Sequence, residues 1–243
     1  LCKLAIIEKL AEENIKLAKE DWDAFETSWD FTSHPLIRHK GLIKENFKLW
    51  EEECEGRFEQ LRNNEEAINK AFIEIYGLQN EMTPYVDDSL VSIRKADELR
   101  EIKSLISYAV GCMFGRYSLY QPGIQTSAIH EMRLPEAFAP DRDAIIPVSD
   151  DEYFEDDIVG RFIDFIKVLF GQIALESNLQ FIADVLGGKG SSREVIRNYF
   201  LNSFYDDHTK RYQKSPIYWL FDSGKKNGFK CLIYMHRYTP DLI

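Results

Sequence analysis

The residues best suited to chemistry in this chain fall into a few short clusters. From Leu186 to Val195 runs LGGKGSSREV, a glycine-lysine stretch that invites a phosphate-loop reading. A nucleotide P-loop sets GxxxxGK and a Ser or Thr between a strand and a helix. Here Lys189 precedes Gly190 and the residues before it have helical spacing. The cluster therefore reads as a helix stop followed by a capped start, with Ser191 and Glu194 as a capping box. Free amides at that start, with Lys189 and Arg193, could hold one DNA phosphate. The acidic run Asp150, Asp151, Glu155, Asp156 and Asp157 lacks calcium-loop spacing. It crowds the positive end of a helix dipole, with Ser149 and Glu152 as a second capping box. Asp206-Asp207-His208 reads as a turn between a helix and a hairpin. The histidines form no HExxH and no serine stands in GxSxG. The ExK motif Glu101-Ile102-Lys103 falls inside a helical pattern, where a nuclease needs a strand edge. Neither a Pro-Pro pair nor a glycine-rich loop after a strand is present, so the base-holding and cofactor loops of an amino-methyltransferase are missing. No catalytic residue, metal ligand or cofactor is assigned to this chain.

The elements that must position these clusters follow from composition and period. With 243 residues, 44% of them hydrophobic and 13% aromatic, the chain can bury a substantial core. Its net charge of −11 argues against coating nucleic acid by overall charge. The charge is uneven, however: from Gly187 onward ten basic residues stand against five acidic ones. That asymmetry suits a protein that touches nucleic acid with one face. The candidate DNA-contacting residues are Lys189, Arg193, Arg197, Lys210, Arg211, Lys214, Lys225 and Lys226. Cys2, Cys54, Cys112 and Cys231 are far apart and read as reduced, buried thiols of a cytoplasmic protein. No apolar run approaches the roughly 20 residues that span a bilayer. The amphipathic start is not a secretory signal, and without an initiating Met the chain reads as a piece of something longer.

Helical spacing covers Leu1 to about Glu20, then Ile43 to Tyr76, where Ile43, Phe47, Trp50, Cys54, Phe58, Leu61, Ile68, Phe72 and Ile75 form a one-sided seam that wants a partner helix. Trp22, Phe25 and Trp29 should anchor the connector between these two helices to the body. A further helix covers Arg94 to about Gly115, with Gly111 and Gly115 spaced to permit close helix approach. After an irregular tract come helices from the acidic run, from about Ala174 to Leu186, and from Ser191. The last stretch, RYQKSPIYWLFDSGKKNGFKCLIYMHRY, reads as a hairpin turning at Ser223 to Gly228. Both its faces are largely apolar, so its aromatics should be mainly core and its charged edges the better DNA candidates. The expected fold class is mainly α, an elongated helical bundle with a small C-terminal β-hairpin. The divisions are a long-helix connector (1–116), an irregular tract (117–148) and a helical subdomain ending in the hairpin (149–243).

Seven stretches also carry a resemblance: DWDAFETSWDF (21–31), HPLI (34–37), FIEIYGLQNEMTP (72–84), ISYAVGCMFGRYSL (106–119), DDEYFEDDIVGRF (150–162), SSREVIRNYF (191–200) and YQKSPIYWLFDSGKKNGFKCLIYMHRY (212–238). Over nearly its whole length the chain resembles the region after the catalytic domain in BREX phage-exclusion adenine-specific DNA methyltransferases of the PglX type. GCMFGRYSL has a shorter relative in single-chain restriction-modification enzymes. Tyr120 stands where the family commonly has Asp after RYSL, and the stretch from Tyr120 to Pro140 reads unlike the relatives, which puts the DNA target in doubt. The resemblance implies a protein that methylates adenine N6, with S-adenosylmethionine held in an upstream catalytic domain. It implies double-stranded DNA, that upstream methyltransferase domain and other phage-defence subunits as partners, and no membrane. The family's catalytic motif lies upstream, so none of its catalytic residues carries over. The leading expectation is a helical connector that forms part of DNA recognition; the alternative is a protein-interaction scaffold for other subunits of the defence assembly.

Overall fold

The strongest periodic signal becomes the longest element, α2 (Ile43–Tyr76), which ends where Gly77 adopts a left-handed φ of 70°. The computed structural model describes residues 2–125, 138–224 and 228–237. Helix α1 (Cys2–Asp23) packs antiparallel on α2, as the Lys3–Glu74 ion pair and the Asn14–Asn64 hydrogen bond show. The seam is buried from Ile43 to Leu61, and a small second core joins Phe58 and Leu61 to Val86, Val91 and Ile93. Beyond it the seam opens: Phe72 and Ile75 are exposed, as are Leu4 and Ile6 at the facing end of α1, while Ile7 and Ile73 stay buried.

Helix α3 (Glu98–Met113) is the central element, buried almost throughout from Glu101 to Met113. Asp97 caps it by accepting from the Arg100 amide. Around α3 pack α4 (Ile158–Phe170), α5 (Leu175–Leu186), α6 (Ser192–Asn202) and α7 (Phe204–Arg211), each touching its neighbour. Asn178 on α5 fastens the start of α2, accepting from the Ile43 amide and donating to the Gly41 carbonyl. Gly111 and Gly115 do something other than admit a second helix. The chain reverses through Gly115, φ 67°, and lays the Tyr117 ring on Gly111, where a Cβ would sit 2.4 Å from the ring.

The expected capping box at Ser191 and Glu194 is present in both directions. The one expected at Ser149 and Glu152 is not. Helix α4 starts later, at Asp157, whose carboxylate accepts from the Val159 and Gly160 amides, a stronger cap than a serine hydroxyl. The expected C-terminal hairpin is present, but as part of a larger sheet. Strands β2 (Trp219–Asp222) and β3 (Lys230–Ile233) pair antiparallel, and β1 (Ile145–Pro147), from the end of the irregular tract, adds to the far side of β3. Residues 225–227 of the turn lie outside the described residues. Ile146 and Leu232 turn into the core on one face, and Cys231 and Ile233 of the central strand are buried on the other. The hairpin aromatics, expected to be mainly core, divide: Tyr218 and Tyr234 are buried in the core, whereas Trp219 and Phe221 on the edge strand are 52% and 55% exposed. Among the described residues no helix is long and apolar enough to cross a membrane.

His208, read as part of a turn, is instead buried on α7. Its Nε2 accepts from the Ile217 and Tyr218 amides at 3.0 and 3.2 Å, tying the hairpin to the helices. Burial, with the charges of Arg211 and Arg116, lowers its pKa to about 4. His34, whose Nδ1 accepts from the Leu36 amide, is lowered to about 3 by burial and by Arg211 and Arg38. Unfolded histidines titrate near 6.5, so the stability held by the neutral forms is complete above that pH and is lost as pH falls toward 4. For His208 the loss amounts to about 3 kcal/mol. Chemical denaturation between pH 7 and 4 should show this decline, and the His208→Gln variant should show a shallower one.

Candidate nucleic-acid interface

The described candidates among the basic residues of the C-terminal quarter divide by side-chain type. Arg197, on α6, is locked: it reaches Asp157 with both terminal nitrogens, at 2.8 and 2.9 Å, and donates to the Ser149 carbonyl at 2.9 Å. Asp157 is buried, so this one carboxylate both caps α4 and clamps α6. Arg211, at the end of α7, pairs with the buried Glu26 of the connector, 185 positions away in sequence. Arg193 makes a bidentate pair with Glu176 at 2.6 and 2.8 Å, but on an exposed surface where such pairs hold little. Lys189, Lys210 and Lys214 are exposed, and their side chains have no hydrogen-bond or ion-pair partner among the described residues. Lys210 and Lys214 flank a shallow groove with Thr209 and Gln213, where the chain leaves α7 through left-handed Gln213 and Lys214. Lys225 and Lys226 lie outside the described residues.

Two deeper concavities meet at the Arg211–Glu26 bridge. The larger, about 620 Å³, runs between the connector, the start of α3 and α7, and includes Trp22, Phe25, Arg94, Arg100, Lys103 and Lys210. Most of its cations are already engaged. Arg94 lies 3.8 Å over the Phe25 ring and bonds Asp21 at 3.3 Å, Arg100 holds Glu101 at 2.7 Å, and Lys103 holds Asp207 at 2.8 Å. The ExK residues thus serve pairing within the helical body. The smaller concavity, about 300 Å³, lies between connector residues Glu26–Trp29 and the segment Arg211–Ile217, with Arg116 and Ile124. Phe25 anchors the connector as expected, but Trp22 is 54% and Trp29 92% exposed, so neither is sealed into the body. Sequence reasoning passed over Arg116 because it falls within a motif read as a helix end.

Carboxylates also converge. Oxygens of Asp141, Asp143 and Asp156 lie within 4.8 Å of one another. Burial and the neighbouring carboxylate of Asp143 push Asp141 up to about 6, against the pull of Arg161. Only Asp156 belongs to the acidic run; the other two come from the irregular tract, so the grouping is invisible in sequence spacing.

No protein-family profile matches the chain. It is 43% identical over 97% of its length to adenine-specific methyltransferase PglX of Lacticaseibacillus casei (strain Zhang), covering 20% of that protein. It is 37% identical over 96% of its length to adenine-specific methyltransferase BrxX of Escherichia coli O9:H4 (strain HS), covering 22%. The resemblance read from the sequence is thus borne out, and the chain spans about a fifth of the length of the curated relatives it matches.

The two arginine environments differ enough to be told apart by stability. Arg197→Ala leaves the buried Asp157 charge unpaired and should cost about 3–5 kcal/mol in urea unfolding. Arg193→Ala should leave the transition where it is. Equal effects of the two would show that Asp157 does not depend on Arg197.

Proposed function

We propose that this chain is the segment following the catalytic domain of an adenine-specific (N6) DNA methyltransferase of a phage-defence system, where it acts as helical connector and as part of DNA recognition. The observation that carries this reading is the sustained identity, 43% and 37%, to two adenine-specific methyltransferases over nearly the whole chain. The described residues form no cradle for a methyl donor. S-adenosylmethionine needs a cradle such as a glycine-rich turn between a strand and a helix, and the described strands are antiparallel, with β1 leading to α4 through Val148 to Asp157 without a glycine. The residues here do not fit the cofactor, and in this reading it sits in the upstream domain.

The helical body's contribution is then positional. Long α1 and α2 carry the body away from the catalytic part, and the unpaired lysines Lys189, Lys210 and Lys214 meet phosphates of duplex DNA without reading bases. Lysine suits this task because its hydrated point charge trades water for phosphate, whereas the paired arginines must first leave their carboxylates.

A specific observation favours a second reading, a docking scaffold for other defence subunits. Trp219 and Phe221 continue into a Phe229–Phe154 ring pair, 5.9 Å apart, making an exposed aromatic sheet face beside the acidic stretch Asp150–Glu155. Loss of partner capture in Trp219→Ala, with DNA binding intact, would favour that role.

The primary reading is tested by salt dependence. Replacing Lys189, Lys210 and Lys214 together by Ala should flatten the log–log slope of duplex binding by about 0.9 for each lysine–phosphate pair removed. Adenine methylation should weaken at moderate salt. An unchanged slope would remove these lysines from the interface.

A further inference from the structure

We propose that the smaller concavity beside the Arg211–Glu26 bridge takes one unpaired nucleotide, with its phosphate on Arg116 and its base against Trp29. This goes deeper than the DNA-binding role above and rests on it. Arg116 is half-buried, and its side chain bonds within the described residues from Nε to the Tyr117 hydroxyl at 3.3 Å. Unlike Arg197 and Arg211, it has no carboxylate partner among the described residues. A guanidinium drawn partly out of water without a counter-charge is a receptor for an anion. Of the other polar residues in the lining, Thr27 and Gln213 stand beside Arg116, while the Ser28 hydroxyl donates to Asp23 and Arg211 is held by Glu26, the single carboxylate. One Glu26 oxygen is taken by Arg211; the other is buried with no hydrogen-bond partner among the described residues.

The same pocket has an apolar side. Ile124 and Ile217 line it, and Trp29 stands at it with 92% of its surface exposed. No core packing explains an indole held in that position, whereas a base can stack on it. At about 300 Å³ the space suits one small planar ligand, at the lower end of ligand pockets and too confined for a paired duplex. Phosphate and base together meet both halves of the lining. An acidic peptide would satisfy Arg116 but leave the indole face without a stacking partner.

The test uses the full chain and a short fluorescein-labelled single-stranded DNA oligomer, with the same sequence as duplex, inorganic phosphate and a poly-glutamate peptide as competitors. Trp29→Ala disturbs no buried packing and should weaken binding of the oligomer roughly 10- to 100-fold, with loss of its quenching of tryptophan emission. Arg116→Gln should lower the single-strand salt slope by about 0.7, and Arg116→Lys should restore it, which separates loss of charge from loss of fold. Wild-type affinity in Trp29→Ala overturns the proposal, as does displacement of the oligomer by phosphate alone or by the peptide at equal concentration. If Trp29→Ala is silent while duplex binding still depends on Lys189, Lys210 and Lys214, the pocket reading fails and the DNA role stands. If the chain binds no DNA of either form, both fail.

Discussion

The ion pair between Arg211 and Glu26 is the constraint around which the rest is arranged. It joins the connector after α1 to the last turn of α7, and both members are largely withdrawn from water. A buried carboxylate is tolerated only with a partner of good geometry, so the connector cannot move from α7 without exposing an expensive charge. That fixes the wall between the two concavities, and the positions of Trp22 and Trp29 on either side follow from it. Asp157 with Arg197 does the same for the sheet side, holding the start of α4 against α6.

These pairs also leave the lysines rather than the arginines unpaired among the candidates. Of the six described basic candidates, the three arginines meet carboxylates and the three lysines meet none. A guanidinium is weakly hydrated and planar, so it enters the body and forks onto a carboxylate; an ammonium keeps its water and stays outside. The positive quarter of the sequence is therefore less positive as an accessible surface than its residue count suggests. Arg116 stands apart because its environment is phenolic, with Tyr117 and Tyr212 close by and no acid bonded to it.

Much of this architecture was legible in the sequence, for local reasons. The α2 seam, the Gly77 stop and the Ser191–Glu194 capping box depend on residues within one or two turns of each other, and spacing reports them directly. The features that spacing does not report depend on distant partners. The start of α4 is set by Asp157 because Arg197 reaches it from 40 positions away, a preference that Ser149 and Glu152 could not reveal. β1 is three residues of an irregular tract that become a strand only because β3 lies beside them. The hairpin's apolar alternation could not say that Trp219 and Phe221 on its edge strand go uncovered, since coverage belongs to other elements. The same holds for Trp29, whose large aromatic side chain reads as an anchor until its surroundings are known.

The separation of Glu26 from Arg211 has a consequence for synthesis. A ribosome delivers the connector long before α7, and β1 long before β3, so neither the bridge nor the sheet can close on an incomplete chain. A truncation that spares every residue up to Asn202 would still leave Glu26 without its counter-ion and β1 without a neighbour. The residues after Asn202 thus supply the last partners that Glu26 and β1 require, partners that no earlier part of the chain offers.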